Sequence, residues 1–246
     1  MLFKTVYGPE LESVYFLLEE VGPMKQEELI NSFVCAVSDS NASLANIKGA
    51  ISFLKTAGII SYEKQEYRAV YKNLDSIGFK VNLIRHMRTL KKSRSKLDSY
   101  YVGFIDKIYI KPNIIFNNNL HNKINSIDLP SACSEEKVNA WRRVLEYLGL
   151  GYRGYAGLAI IYDINIVSRI ICNWDEIEGP LQLFLEDHFS QYLPWSTQKG
   201  EIAMALEFPL LKLEEQGKIS LHTKQDMPYK GYLEKRKVKW ITKESG

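Results

Sequence analysis

The stretch "LKTAGIIS" at Leu54–Ser61 is nearly spelled again in the second half of the chain as "LEEQGKIS" at Leu213–Ser220. In both, a leucine is followed four residues later by glycine, then by isoleucine and serine. Upstream, Ile47, Ile51 and Leu54 step by four and three, and Leu206, Leu210 and Leu213 step the same way. That is an aliphatic stripe of helical period. A glycine just beyond the stripe is where a helix ends in the left-handed conformation that costs other residues most. Ile60 and Ile219 then open a stretch expected to run as a strand back into the core. Five matched positions, Ile47, Ile51, Leu54, Gly58 and Ile60 against Leu206, Leu210, Leu213, Gly217 and Ile219, therefore predict two copies of one helix-then-strand module. Few other features limit the fold as strongly.

The first copy extends in both directions. "GPELESVYFLLEEVG" carries Leu11, Val14, Leu17 and Leu18 as a helical stripe, with Pro9 near its start and Gly22 and Pro23 at its stop. "KQEELINSF" reads as a short helix anchored by Leu29, Ile30 and Phe33. "IISYEKQEYRAVYK" places two β-prone stretches around a polar turn. Three helices followed by a hairpin resemble the winged-helix superfamily, at about Gly8 to Lys72. The second copy resembles it at about Gly179 to Trp240, where "GPLQLFLEDHFSQYL" is aligned with the first helix. "HTKQDMPYKGYLEKRKVKW" stands there as a second wing. Pro209 interrupts the third helix of that copy and either kinks it or marks its start.

Between the copies, "NLDSIGFKVNLIRHMRTLKKSRSKL" reads as one longer helix, "SYYVGFIDKIYIKPNIIF" as two short strands and "NNNLHNKINSIDLPSA" as an exposed loop. "SEEKVNAWRRVLEYLGLG" is an amphipathic helix capped by Ser134, with Val138, Trp141, Leu145 and Leu148 on its buried side. "YDINIVSRIICNW" reads either as a strand or as a helix capped by Asp163, the helix being preferred. The expected fold is α+β and mainly helical, two winged-helix modules joined by a mixed helical and short-strand segment. The expected divisions are 1–75, 76–133 and 134–246.

Chemistry is sparse. "GLGYRGYAG" holds G-x-G-x-x-G at Gly149, Gly151 and Gly154, but it follows a helix, whereas dinucleotide binding needs a strand before it and a helix after. It is read as a helix stop and a turn. No phosphate-loop pattern occurs. His86, His121, His188 and His222 lie far apart, no C-x-x-C occurs, and "YEKQEY" and "YLEKRK" have the wrong carboxylate–lysine spacing for a metal-dependent nuclease. The expectation is a non-enzyme with no catalytic residue, no cofactor, no metal and no small-molecule substrate. No apolar run reaches the roughly 18 residues of a membrane span. The start lacks a signal-peptide pattern, and Cys35, Cys133 and Cys172 read as reduced buried thiols. A cytoplasmic, membrane-free protein is expected.

Net charge is only +3 over 246 residues, but it is unevenly distributed. Lys80 to Lys96 contains no acid, and Arg85, Arg88, Lys91, Lys92, Arg94 and Lys96 are candidate phosphate contacts. A solvated helix face or an acidic protein partner is the competing reading of that run. On the third helix of the first copy, Ser43, Asn46 and Lys48 occupy the positions where a winged helix reads bases. Lys235, Arg236, Lys237 and Lys239 form a secondary basic wing. The third helix of the second copy carries Glu201, Glu207, Glu214 and Glu215, which repel phosphate and favour packing against protein. More distantly, the layout resembles the winged-helix accessory subunits of Lamassu-type anti-phage systems, with "WRRVLEYLGLG" between the modules. That resemblance implies a DNA-associated subunit bridging an SMC-type ATPase and a nuclease effector. The alternative is a dimeric, sequence-specific transcriptional regulator.

Overall fold

The computed structural model describes all residues except 1, 3–5, 34–39, 93–94, 111–114, 127–131, 155–156 and 245–246, and for 40–43, 92, 96 and 97 it describes the backbone alone. The chain forms two units, one of residues 1–103 with 128–148, the other of 104–127 with 149–246. In the first, α1 (Gly8–Val21) buries Leu11, Val14, Tyr15 and Leu18. It can start at a glycine because the Tyr147 ring occupies the place of a side chain there. A two-residue strand not expected from the sequence, β1 (Met24–Lys25), leads into α2 (Gln26–Asn31). Glu28 closes the first turn of α2 by accepting from the Lys25 N–H at 2.9 Å. Then α3 (Ser40–Ala57) buries Ile47, Ile51 and Leu54, and Gly58 follows at φ 81°. The Leu54 carbonyl accepts from both Gly58 and Ile59, which closes the helix end. Strands β2 (Ile60–Glu63) and β3 (Glu66–Ala69) make the hairpin, with Tyr62 opposite Tyr67. Strand β1 joins on the far side of β3, so the antiparallel order is β1-β3-β2.

The middle of the chain departs from its sequence reading. The long helix stops early: α4 (Ser76–Thr89), capped by Asp75 on the Gly78 N–H at 2.7 Å, gives way to a 3₁₀ turn at Leu90–Lys92. "KKSRS" beyond Leu90 has no apolar side chain to bury, so nothing holds another turn of helix to the unit. A new helix, α5 (Lys96–Tyr109), begins where Ser95 Oγ accepts from the Asp98 N–H at 3.3 Å. The two strands expected from Ser99 onward are therefore mostly helix. Tyr101, Phe104, Ile105 and Ile108 recur at helical steps and all are buried, and that packing overrides their β propensity. Among the described residues of that stretch only Phe116, which opens β4 (Phe116–Asn117), is strand, and the expected Asn-rich loop contains α6 (Leu120–Asn125), with Leu120 and Ile124 buried. As expected, α7 (Glu135–Tyr147) is capped by Ser134 and buries Val138, Trp141, Val144 and Leu145. The Trp141 indole donates to the Tyr101 carbonyl at 2.9 Å.

In the second unit the glycine run is a hairpin. After Gly149 at φ 71°, β5 (Tyr152–Gly154) and β6 (Gly157–Ala159) pair, and β4 joins them in the order β4-β6-β5. No helix follows the glycines at dinucleotide distance. Asp163 caps α8 (Ile164–Cys172), accepting from the Asn165 N–H at 2.7 Å. Strand β7 (Glu178–Pro180) comes next, then α9 (Leu181–Leu183), continued by a π turn at Phe184–His188 and a 3₁₀ turn at Phe189–Gln191. Helix α10 (Met204–Glu215) and strands β8 (Ile219–His222) and β9 (Trp240–Lys243) complete it, with sheet order β7-β9-β8.

Each unit thus contains helix, strand, helix, helix, strand, strand, with sheet order first-third-second. The assignment of "GPLQLFLEDHFSQYL" to the first helix is corrected: α8 holds that place, and the segment after Gly179-Pro180 is the second helix. The two Gly-Pro pairs misled because they stand in different elements: Gly8-Pro9 opens α1, whereas Gly179-Pro180 ends β7, paired with Ile241 and Trp240 of the last strand. Pro209 lies inside α10. It cannot donate to the Ala205 carbonyl four residues back, and the Tyr162 N–H donates to that carbonyl instead, at 3.0 Å. The expected cost of an interior proline is thereby offset by the chain leaving β6.

Candidate docking and nucleic-acid surfaces

The two third helices, α3 and α10, end alike but face solvent differently. On the described part of α3, Asn46 and Ser52 are half-buried and Lys48 and Lys55 are exposed. Lys55 lies 4.3 Å from the centroid of the Tyr62 ring on the adjacent hairpin. Ser43 falls in α3, its side chain outside the described set. The tip of that hairpin is a two-residue turn, Lys64-Gln65, with φ of 49° and 67°. Positive φ at both positions is what a type I′ turn requires, and Asn-Gly supplies it with least strain. Arg68 at the edge of the hairpin pairs with Glu66 at 3.3 Å.

Of the basic run, Arg85 is exposed and Arg88 half-buried on α4, and Lys91 is exposed in the turn that ends it. Lys92 is described as backbone only, Arg94 lies outside the described residues, and Lys96 opens α5. The expected single longer helix carrying this basic run is corrected accordingly, because the helix ends at Thr89. Between Arg85 and Met87, His86 faces inward. Its Nε2 lies 2.7 Å from the Tyr71 hydroxyl, and it is hydrogen-bonded to the Ala57 carbonyl at the end of α3. Burial pushes its pKa below the ordinary 6.5, the Ala57 hydrogen bond opposes that, and neighbouring Arg85 adds to it. These contacts tie α4 to the end of α3 and to Tyr71, just beyond the hairpin.

On α10 the buried side is Ala205, Leu206, Pro209, Leu210 and Leu213. The opposite side carries Met204, Phe208 and Leu211, exposed by 39%, 60% and 37%. These three were missed in the sequence, although a signal was there: "MALEFPLLKL" is apolar at two sets of helical positions. Beside them runs a groove of about 690 Å³ lined by Thr197, Ile202, Met204, Glu207, Leu211 and the turn from Leu233 to Lys237. Of the secondary basic wing, Arg236 forms a two-point pair with Glu214 and also donates to the Leu221 carbonyl at 3.1 Å. The guanidinium holds the Glu214 carboxyl below the usual carboxylate range. Lys239 donates to the carbonyls of Gln225 and Met227 at 3.2 and 2.8 Å. Lys235 and Lys237 are exposed.

Among the described residues no three His, Cys, Asp or Glu side chains come together as a metal site would need, and no helix is long and apolar enough to cross a membrane. Cys133 is buried, but Cys172 at the end of α8 is exposed, which corrects the reading of it as a buried thiol. Cys35 lies outside the described residues. Compared with protein-family models, with curated proteins and with solved structures, the chain matches none.

Proposed function

We propose that both helix-strand-helix-helix-strand-strand units are winged helices and that the protein is a non-catalytic adapter: the first unit meets nucleic-acid phosphates, the second holds protein. The observation that carries this reading is the contrast between α3 and α10. On α3, half-buried Asn46 and Ser52 beside exposed Lys48 and Lys55 make a polar and basic surface that suits a groove edge and phosphate oxygens. A stripe of Met204, Phe208 and Leu211 flanked by Glu207 and Glu215 does not, because it would bring carboxylates against phosphate and leave three apolar side chains in water. Exposed Arg85 and Lys91, with half-buried Arg88 between them, add a sequence-tolerant electrostatic contribution to the first unit. The order of modules, through its resemblance to Lamassu-type accessory subunits, makes an SMC-type ATPase and a nuclease effector the protein partners proposed.

The test is fluorescence polarisation of a random-sequence DNA duplex with the full chain over a range of salt, comparing wild type with R85E/R88E/K91E. Loss of three phosphate contacts lowers the slope of log K against log salt by about 2.7. An unchanged slope and affinity would remove α4 from the interface. A preference above about 10³ for one sequence over random DNA would instead identify a regulator.

A further inference from the structure

We infer that the groove beside α10 receives an amphipathic helical segment of a partner protein, one whose apolar side chains are flanked by carboxylates. This rests on the protein-facing reading of the second unit. Met204 and Leu211 line the groove, and Phe208 stands exposed between them on the same side of α10, so the three, spaced four and three residues apart, offer an apolar edge of about 10 Å. A bound helix presenting anchors at i, i+3 or i+4, and i+7 matches that length. The other wall is the turn between Tyr232 and Val238, which exchange backbone hydrogen bonds of 2.8 and 2.7 Å. Within it Leu233 and Lys237 hold φ of 58° and 50°, uncommon for residues with a side chain. Leu233 is buried under the groove, which anchors this wall to the unit.

Charge selects the occupant. Glu201 is held by Lys230 at 3.0 Å and Arg236 by Glu214. What remains on the walls without an ion-pair partner among the described residues is Lys199, Lys235 and Lys237, all exposed, against Glu234 and the half-buried Glu207. The wing wall is therefore basic and the α10 wall apolar, and a helix with leucine-like anchors and an acidic flank complements both. A second copy of this chain fits less well. Side chains of this size expose on the order of 300 Å² of apolar surface together, against roughly 800 Å² on each side of a standard interface. A flat contact on α10 would also leave the wing wall uncovered.

Two fluorescein-labelled synthetic helices of equal length test this. Both carry leucine at every third or fourth position, and their flanks are all glutamate in one and all lysine in the other. Titrated with the full chain, the glutamate peptide is expected to bind at least about 10-fold more tightly. K235E/K237E should reverse that order, and F208E or L211S should abolish saturable binding of both. Phe208 and Leu211 are solvent-exposed, so circular dichroism of both variants should match wild type. Equal or tighter binding of the lysine peptide through Phe208 overturns the acidic partner while leaving a protein-facing unit. No saturable binding of either peptide overturns both readings. A wild-type dimer that F208E converts to monomer in sedimentation gives this face to self-association and also overturns the inference.

Discussion

Replacing each of the matched glycines by alanine separates what the repeat shares from what its surroundings add. Gly58 and Gly217 have φ of 81° and 67°, so alanine at either pays the same left-handed penalty of about 1 kcal/mol. At Gly217 nothing lies within 4 Å of the added methyl. At Gly58 the methyl would stand 3.2 Å from His86 Nδ1. That ring cannot yield freely, because it is tied to the Tyr71 hydroxyl and the Ala57 carbonyl. Moving it forfeits at least one partly buried hydrogen bond, about 1 kcal/mol or somewhat more. Gly217→Ala is thus expected to cost about 1 kcal/mol and Gly58→Ala about 2–3 kcal/mol. Native-state hydrogen exchange resolves the two, since amides of α3 report the first unit and those of α10 the second. Gly217→Ala costing as much as Gly58→Ala, each in its own unit, would refute both the assignment of His86 as a fixed neighbour and the reasoning from it.

Two further outcomes are expected. The folded pKa of His86 is depressed, so the first unit binds a proton less readily than its unfolded chain; the associated stability is fully present above about pH 6.5 and is lost as pH falls through the folded value. Denaturant unfolding of wild type against His86→Asn between pH 7.5 and 5 checks this, and an equal slope in both would remove His86 as the source. At the hairpin tip, K64N/Q65G relieves two positive-φ side chains and is expected to stabilise the first unit by about 1–2 kcal/mol, read from the urea midpoint at constant m-value.

What the sequence disclosed was what neighbours along the chain decide. Gly58 and Gly217, the aliphatic stripes before them, the Ser134 and Asp163 caps and the hairpin after Gly58 are all local, and all are where periodicity, capping and β propensity placed them. The errors fall where distant residues decide. Tyr101, Phe104, Ile105 and Ile108 look like strand residues until a helix surface is needed to bury them. Gly179-Pro180 looks like a helix start until β9 is seen pairing with it. Pro209 looks like a boundary until Tyr162, far upstream, takes over the carbonyl it leaves free.

The candidate site shows the same limit from the other side. Both apolar sets of α10, Leu206-Leu210-Leu213 and Met204-Phe208-Leu211, are visible in the sequence, but no local rule says which faces the core. Packing decides it: Leu210 and Leu213 are fully buried, whereas Phe208 is left 60% exposed. The rest of the second unit packs against one side of α10, that of Leu206, Leu210 and Leu213. The proposed docking of an acidic helix gives the second apolar side of α10 a use, because an exposed Met-Phe-Leu stripe brings no stability to the isolated chain.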